Sequence, residues 1–362
     1  MKKRSGKDKS IKISISVLMA VICACSLTAC SFNVGKHVQT ETAEETAADP
    51  AAEESAEAAE TAADPMAEES AEAAETAADP AAEETETAAD AVTMYTDVNG
   101  DSAPIPAEFR VSDKEDEQTI GTGLVVIGPD DSEFVWVPTT VTSLSVREFG
   151  SYFSGSGSIN DYYDETDLPI YQEMAASTEK YGGFYMGRYE ASQGENGLPV
   201  SRQVSNEEPG RIWVQFAPQD ATVACQNLYP GNDTVQGFFP WGANWDTTLQ
   251  WMIDSGALTE YEVTSDSTGW GNYSNDSFSE GARGNYTGVW EEAEVNNIYD
   301  LAGNNWEWTQ ERCGSNYVMR GGGYSLMGGG CPGDCYPAAL RDPLPGNNHH
   351  PNVVFRPALY VI

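Results

Sequence analysis

Asn297-Ile298-Tyr299-Asp300-Leu301-Ala302-Gly303-Asn304-Asn305-Trp306-Glu307-Trp308-Thr309 is the most specific stretch of the chain. It sets a carboxylate, Glu307, between two tryptophans, where the charge is half buried and needs a partner. An arginine such as Arg320 is one partner that suits it. Downstream lie Arg320-Gly321-Gly322-Gly323-Tyr324 and the ending Phe355-Arg356-Pro357-Ala358-Leu359. Upstream lie Phe134-Val135-Trp136-Val137-Pro138 and Gly183-Phe184-Tyr185-Met186-Gly187-Arg188-Tyr189-Glu190.

Around these segments the composition is globular from about Val92, and all nine Trp lie beyond residue 130. Such a length buries a large core. Leu124 to Ile127, the turn Gly128-Pro129-Asp130-Asp131 and Phe134 to Val137 predict a β-hairpin. Gln219 to Tyr229 places Ala221, Ala224, Cys225 and Leu228 on one helical face. Trp245 to Asp254, opened by Asn244 and stopped by Gly256, predicts a second short helix. The remainder is rich in Gly, Asn and Ser, so the expected class is α+β with few helices and much ordered loop. Asp97-x-Asn99-x-Asp101 with Glu108 in twelfth place has the outline of a Ca2+ loop. Ser102 stands where Gly is needed, and Pro104 and Pro106 stiffen it, so a plain turn is expected.

Taken in order, the four segments resemble the formylglycine-generating-enzyme (sulfatase-modifying factor) family over about residues 130 to 362. The resemblance implies a variant of the C-type-lectin fold, irregular loops on a small antiparallel core with two helices. It also implies a structural Ca2+ held, by position, by Ala302, Gly303, Asn305 and Glu307. The middle departs from the enzymes, with Phe239-Pro240-Trp241-Gly242-Ala243-Asn244-Trp245-Asp246 in place of their Arg-Leu-Pro-Thr-Glu-x-Glu-Trp-Glu.

Enzymatic members resemble a copper(I) oxidase in which two cysteines just after Arg-Gly-Gly bind the metal, since soft thiolates select Cu(I). The matching pair here is Cys331 and Cys335, separated by three residues where the enzymes have four. A disulfide is the other expectation, because Cys225, Cys313, Cys331 and Cys335 are four cysteines for an oxidising compartment, with three pairings open. The relatives that hold iron with three histidines fit less well, because His349 and His350 are adjacent and no third is at hand.

A second branch of this fold resembles the targets of diversity-generating retroelements, whose last segment before a Phe-Arg ending is mutated at adenines and carries variable ligand-binding side chains. Between Gly321 and Arg356 the chain has no Lys, Glu, Gln or Trp, and Met327 is its one Met. The expected ligand-contact set is Tyr324, Leu326, Met327, Asp334, Tyr336, Leu340, Leu344, Asn347, His349, His350 and Asn352. Aromatic and apolar groups there supply area, and Asn, Asp and His supply direction. Binding without catalysis is the expectation, with the copper oxidase acting on a cysteine of an exported partner as the alternative. The expected partner is a protein or surface ligand, met by a monomer.

The N-terminal quarter has a different character. Lys2-Lys3-Arg4, an apolar stretch from Ile13 through Cys25 and then Leu27-Thr28-Ala29-Cys30 follow the order of a secretory signal, too short to span a bilayer. The ending resembles a bacterial lipobox, which implies cleavage after residue 29, lipidation of Cys30 and display on the membrane or cell surface. Residues 46–60, 61–75 and 76–90 are three copies of a 15-residue unit opening Thr-Ala-Ala-Asp-Pro. With Met66 their one large apolar residue, these units have no face to stack and read as a spacer over 30–91, leaving 92–362 as the domain. Pro50, Pro65 and Pro80 interrupt the helix that Ala and Glu favour. The whole chain carries a formal charge of -38. Such a surface repels phosphate and argues against sequence-independent nucleic-acid binding. Three histidines, His37 among them, are too few for a three-histidine metal site in the folded part, so any metal is held by oxygen or sulfur.

Overall fold

The computed structural model describes residues 91–144, 149, 168–205, 210–273, 284–324, 336–347 and 349–362. Its strands begin with β1 Thr93–Thr96, β2 Ser102–Ile105, β3 Arg110–Val111, β4 Val125–Ile127 and β5 Glu133–Pro138. Helix α1 Pro169–Tyr181 leads into β6 Gly183–Gly187, β7 Ser192–Gln193 and β8 Pro199–Val200. Then come α2 Pro218–Gln226, β9 Val235–Phe238, α3 Gly242–Asp254 and α4 Glu260–Thr264. The C-terminal part holds β10 Glu294–Val295, β11 Ile298–Tyr299, β12 Trp306–Cys313, β13 Asn316–Arg320, β14 Asp342–Pro345, β15 Val353–Val354 and β16 Ala358–Val361. The class is α+β, as expected.

Two sheets organise the domain. The larger is antiparallel in the order β3-β4-β5-β6-β16-β9, and the hairpin read from the sequence is its β4-β5 pair. Both faces of this sheet are covered, which is why β5 is an unbroken apolar run instead of an alternation. Phe134 and Trp136 join Tyr185, Leu359 and Val361 on one face, under Ala103, Ile105 and Phe109 from the N-terminal segment. Val135 and Val137 join Phe184, Met186 and Ala358 on the other, under Met174 of α1 and Trp245, Leu249 and Met252 of α3. Each such side chain taken from water to core contributes about 1.5–3 kcal/mol.

The smaller sheet runs β14-β13-β12-β15, with β15 parallel to β12. Its apolar side faces α2, burying Ala221 and Cys225 with Trp306, Trp308, Met319, Val353 and Phe355. The last strands thus serve both sheets: the chain passes through β15, then Phe355-Arg356-Pro357, and ends as β16 inside the larger sheet.

Four α-helices are described where two were expected. The two read from the sequence are α2, which stops at Gln226 short of Tyr229, and α3, which starts at Gly242. Asn244 is therefore not the residue before the helix but lies one turn inside it, where its Oδ1 accepts the Trp241 N–H at 3.1 Å. Gly256 does terminate α3, with φ at 78° and its N–H donated to Ile253 O. The additional helices are α1, begun by Pro169 and ended by Gly182 at φ 83°, and the five-residue α4. No helix among the described residues is long and apolar enough to cross a membrane.

The Asp97 segment is a turn. Asp97 Oδ1 accepts the N–H groups of Asn99 and Asp101, and Oδ2 accepts that of Ile120. Burial acts to raise this carboxyl, but the backbone donors outweigh it and hold it below the ordinary value. Glu108 is exposed on left-handed backbone at φ 68°.

Candidate ligand-binding surface

Arg320 closes β13, and the chain returns at Arg341, just before β14. Both guanidiniums are fully buried and both are bound by the same two acids, Asp246 of α3 and Glu311 of β12. Arg320 reaches Asp246 Oδ1 at 2.5 Å and Glu311 Oε2 at 3.0 Å. Arg341 reaches Glu311 Oε1 at 2.6 Å and also Asp246 Oδ2. Two positive and two negative charges close a ring in which each carboxylate bridges both arginines, so the buried charge is compensated within the ring. Gly242 makes room for it: a Cβ at that position would collide with the Glu311 carboxylate. The chain between the two arginines is thus fixed at both stems, whatever side chains it carries.

A third buried arginine holds the other end. Arg356 donates to both oxygens of Glu307, at 3.1 Å from Nε and 2.6 Å from Nη2, and to the carbonyls of Gly187 and Tyr299. Glu307 faces Arg320 across the β12-β13 register, yet its partner is Arg356, which corrects the pairing expected from the sequence. Burial raises the Glu307 carboxyl, and Arg356 works against that rise. The group implied by the resemblance, a Ca2+ on Ala302, Gly303, Asn305 and Glu307, does not fit these residues as they stand. Both Glu307 oxygens are occupied by the guanidinium, and the Ala302 carbonyl accepts the Asn272 N–H at 2.8 Å. Among the described residues no group of three or more His, Cys, Asp or Glu could hold a metal ion.

The asparagines of the same block build the wall of a cavity. Asn304 Oδ1 accepts the Gly284 N–H at 2.9 Å, its Nδ2 donates to Tyr286 O at 2.9 Å, and its carbonyl accepts the Tyr324 N–H at 2.7 Å. Asn305 Nδ2 donates to Gly284 O and to Glu190 Oε2. Glu190 is fully buried, and burial, then Asp300 and Glu307, raise its carboxyl well above the ordinary value. The outcome is an open cavity of about 400 Å3 whose lining includes Arg211, Gly284, Asn285, Tyr286, Tyr324 and Asn352. Two of these, Tyr324 and Asn352, belong to the expected contact set. Arg211, Asn285 and Tyr286 do not; the signal in the sequence was the loop triplet Gly284-Asn285-Tyr286, a glycine beside an amide and an aromatic ring.

Other members of the expected set lie near this surface or beneath it. Tyr336 is half buried, edge-on to Trp306 with ring centroids 5.8 Å apart, and its carbonyl accepts the Tyr273 hydroxyl. Leu344 is half buried and Asn347 exposed. His349 is exposed, its Nδ1 2.9 Å from Gln215 O, and His350 Nδ1 accepts the Asn352 N–H. Leu340 departs from expectation: at 2 % exposure it packs in the core under the smaller sheet, next to the arginine ring, and offers no contact area. Leu326, Met327, Asp334, Cys331 and Cys335 lie outside the described residues, as do Cys30, the signal segment and the acidic repeats. Cys225 and Cys313 are both buried, and burial pushes the Cys225 thiol far above its ordinary value.

No family model matches the sequence, and a comparison with curated proteins finds no match. Several solved structures are similar at low level, these two among them. One is the crystal structure of CarF, 13% identical with a TM-score of 0.32, the alignment covering 50% of this chain and 87% of that one. The other is Treponema denticola variable protein 1, 14% identical with a TM-score of 0.25 over 74% of this chain and 98% of that one.

Proposed function

We propose that this chain is an exported lipoprotein that displays a non-catalytic ligand-binding domain at the cell surface. Residues 1–29 are the signal, Cys30 carries the lipid, 30–91 form an acidic spacer and 92–362 are the domain, a formylglycine-generating-enzyme-like variant of the C-type-lectin fold. The ligand is met by the surface between Arg320 and Arg356. The observation that carries this reading is the pair Arg320 and Arg341 on one buried acid pair, with Arg356 on Glu307 behind them. A segment whose stems are fixed by buried charge is free to vary in its exposed side chains, which is what a diversified binding loop requires.

A library tests it. Tyr324, Leu344, Asn347, His350 and Asn352 are randomised together in the full chain on the surface of yeast, with lysozyme as the probe. Undiminished display of folded clones, some of them binding lysozyme, is the expected result. Loss of folded display in most clones overturns the reading, because these side chains would then belong to the fold.

A further inference from the structure

We infer that the cavity beside Tyr324 takes a carboxylate-bearing ligand, with the carboxylate on Arg211. This inference rests on the proposed binding surface and names the chemistry of its ligand.

The polar side chains at the cavity are donors that suit an anion. Arg211 is exposed and lines the cavity, and no carboxylate is among the described residues that line it. Its planar fork matches a carboxylate with two parallel hydrogen bonds, and the Asn285 and Asn352 amides beside it can donate as well. A chain of charge -38 leaves few places on its surface where an anion is not repelled. The neighbouring groove makes the contrast local: it shares Gly210 with this cavity but is lined by Asp131, Glu133 and Glu195 against Arg202. An anion is steered to the Arg211 side of Gly210 and away from the other.

A second feature asks for a hydrogen-bond donor on the same ligand. Asn305 is 1 % exposed, and its Oδ1 has no hydrogen-bond partner among the described residues. That oxygen lies 3.3 Å, and the Tyr324 ring 2.7 Å, from where a Cβ of residue 284 would stand, and Gly284 and Tyr324 both line the cavity. A carboxylate-bearing molecule with a hydroxyl or amide N–H a few atoms away would satisfy both ends, with the Tyr286 and Tyr324 rings as walls. Hydroxylated sugar acids and acylated amino acids share that chemistry.

The test uses the full chain and four probes in two matched pairs: methyl glucuronoside with methyl glucoside, and N-acetyl-aspartate amide with N-acetyl-asparagine amide. Dissociation constants come from ligand-observed NMR titration at 50 mM salt. At least one acid is expected to bind tenfold or more tightly than its neutral twin, and the pair that shows the preference identifies the source of the carboxylate. Arg211→Gln should bring that ratio within twofold, while Arg211→Lys, which keeps the charge without the fork, retains part of it. An acid preference that survives Arg211→Gln overturns the inference, as does the absence of any preference. If the neutral probes bind equally well and lose affinity in Tyr324→Ala, the binding surface stands and only the carboxylate assignment falls. If no probe binds, the assignment falls as well, and the lysozyme library decides separately on the surface.

Discussion

Arg320 and Arg341 flank a twenty-residue stretch and bind the same two carboxylates, Asp246 and Glu311. Both arginines are fully buried, so removing either leaves the two acids with one countercharge in a medium that cannot solvate the excess. Arg341→Met should therefore cost about 3–5 kcal/mol in urea denaturation. Asp246→Leu alone should cost a similar amount, and the double variant less than the sum, because it restores charge balance. Strict additivity would show that the four groups do not act as a ring.

Glu307 and Arg356 make the same argument about a metal. If the guanidinium is the resident countercharge, Glu307→Gln destabilises the domain by about 3–5 kcal/mol whether calcium or a chelator is present. A loss that appears only in calcium would restore the cation assignment at Glu307.

Acid titration should show one carboxyl clearly. Burial pushes Asp342, the first residue of β14, up to about 6. A carboxyl that holds its proton more tightly folded than unfolded adds stability in full below the unfolded value, roughly 3.9, and that stability is gone once the pH has risen through the folded value. Asp342→Asn lacks this loss. Its Tm relative to wild type should shift upward between about pH 4 and pH 6 by on the order of 2–4 °C, solvent screening keeping the effect near ~1 kcal/mol. A constant Tm difference across that window would contradict the assignment.

Gly284 is required twice by the cavity. Its φ is 72°, in the left-handed region, and a Cβ there would stand 2.7 Å from the Tyr324 ring. Gly284→Ala should cost about 1–3 kcal/mol and displace Tyr324, seen as altered tyrosine resonances and weakened probe binding. Wild-type stability with an unmoved ring would show that the wall has slack.

What could be read from the sequence was whatever repeats on a short period or sits in a dense motif. The β4-β5 hairpin was legible because turn residues separate two apolar runs, and α3 because Gly256 marks where it stops. Helix α1 was not, since its buried face is Tyr171, Met174, Ser177 and Thr178, a mixture in which hydroxyls dilute the apolar period. Helix α4 has a local signal in the sequence, the capping box of Thr259 and Glu262. That Glu307 needs a partner was legible, but neither its full burial nor the partner was: Arg320 is nearest in register, whereas Arg356 arrives from 49 residues on. The ring of Asp246, Glu311, Arg320 and Arg341 had no linear signature, because its members come from four separate segments. Position in the sequence puts Leu340 in the expected loop region, and only packing shows that the chain has already re-entered the core there.

The central claim is that buried arginines, and not the partly exposed side chains between them, hold the C-terminal surface in shape. It is tested most directly by urea denaturation of two full-chain variants, one with Tyr324, Leu344, Asn347, His350 and Asn352 all changed to Ala, the other with Arg341→Met alone. The account predicts that five surface changes together cost less than the single buried one, about 2 kcal/mol against ~3–5 kcal/mol. A five-residue variant that unfolds, or an Arg341→Met variant as stable as wild type, would contradict it.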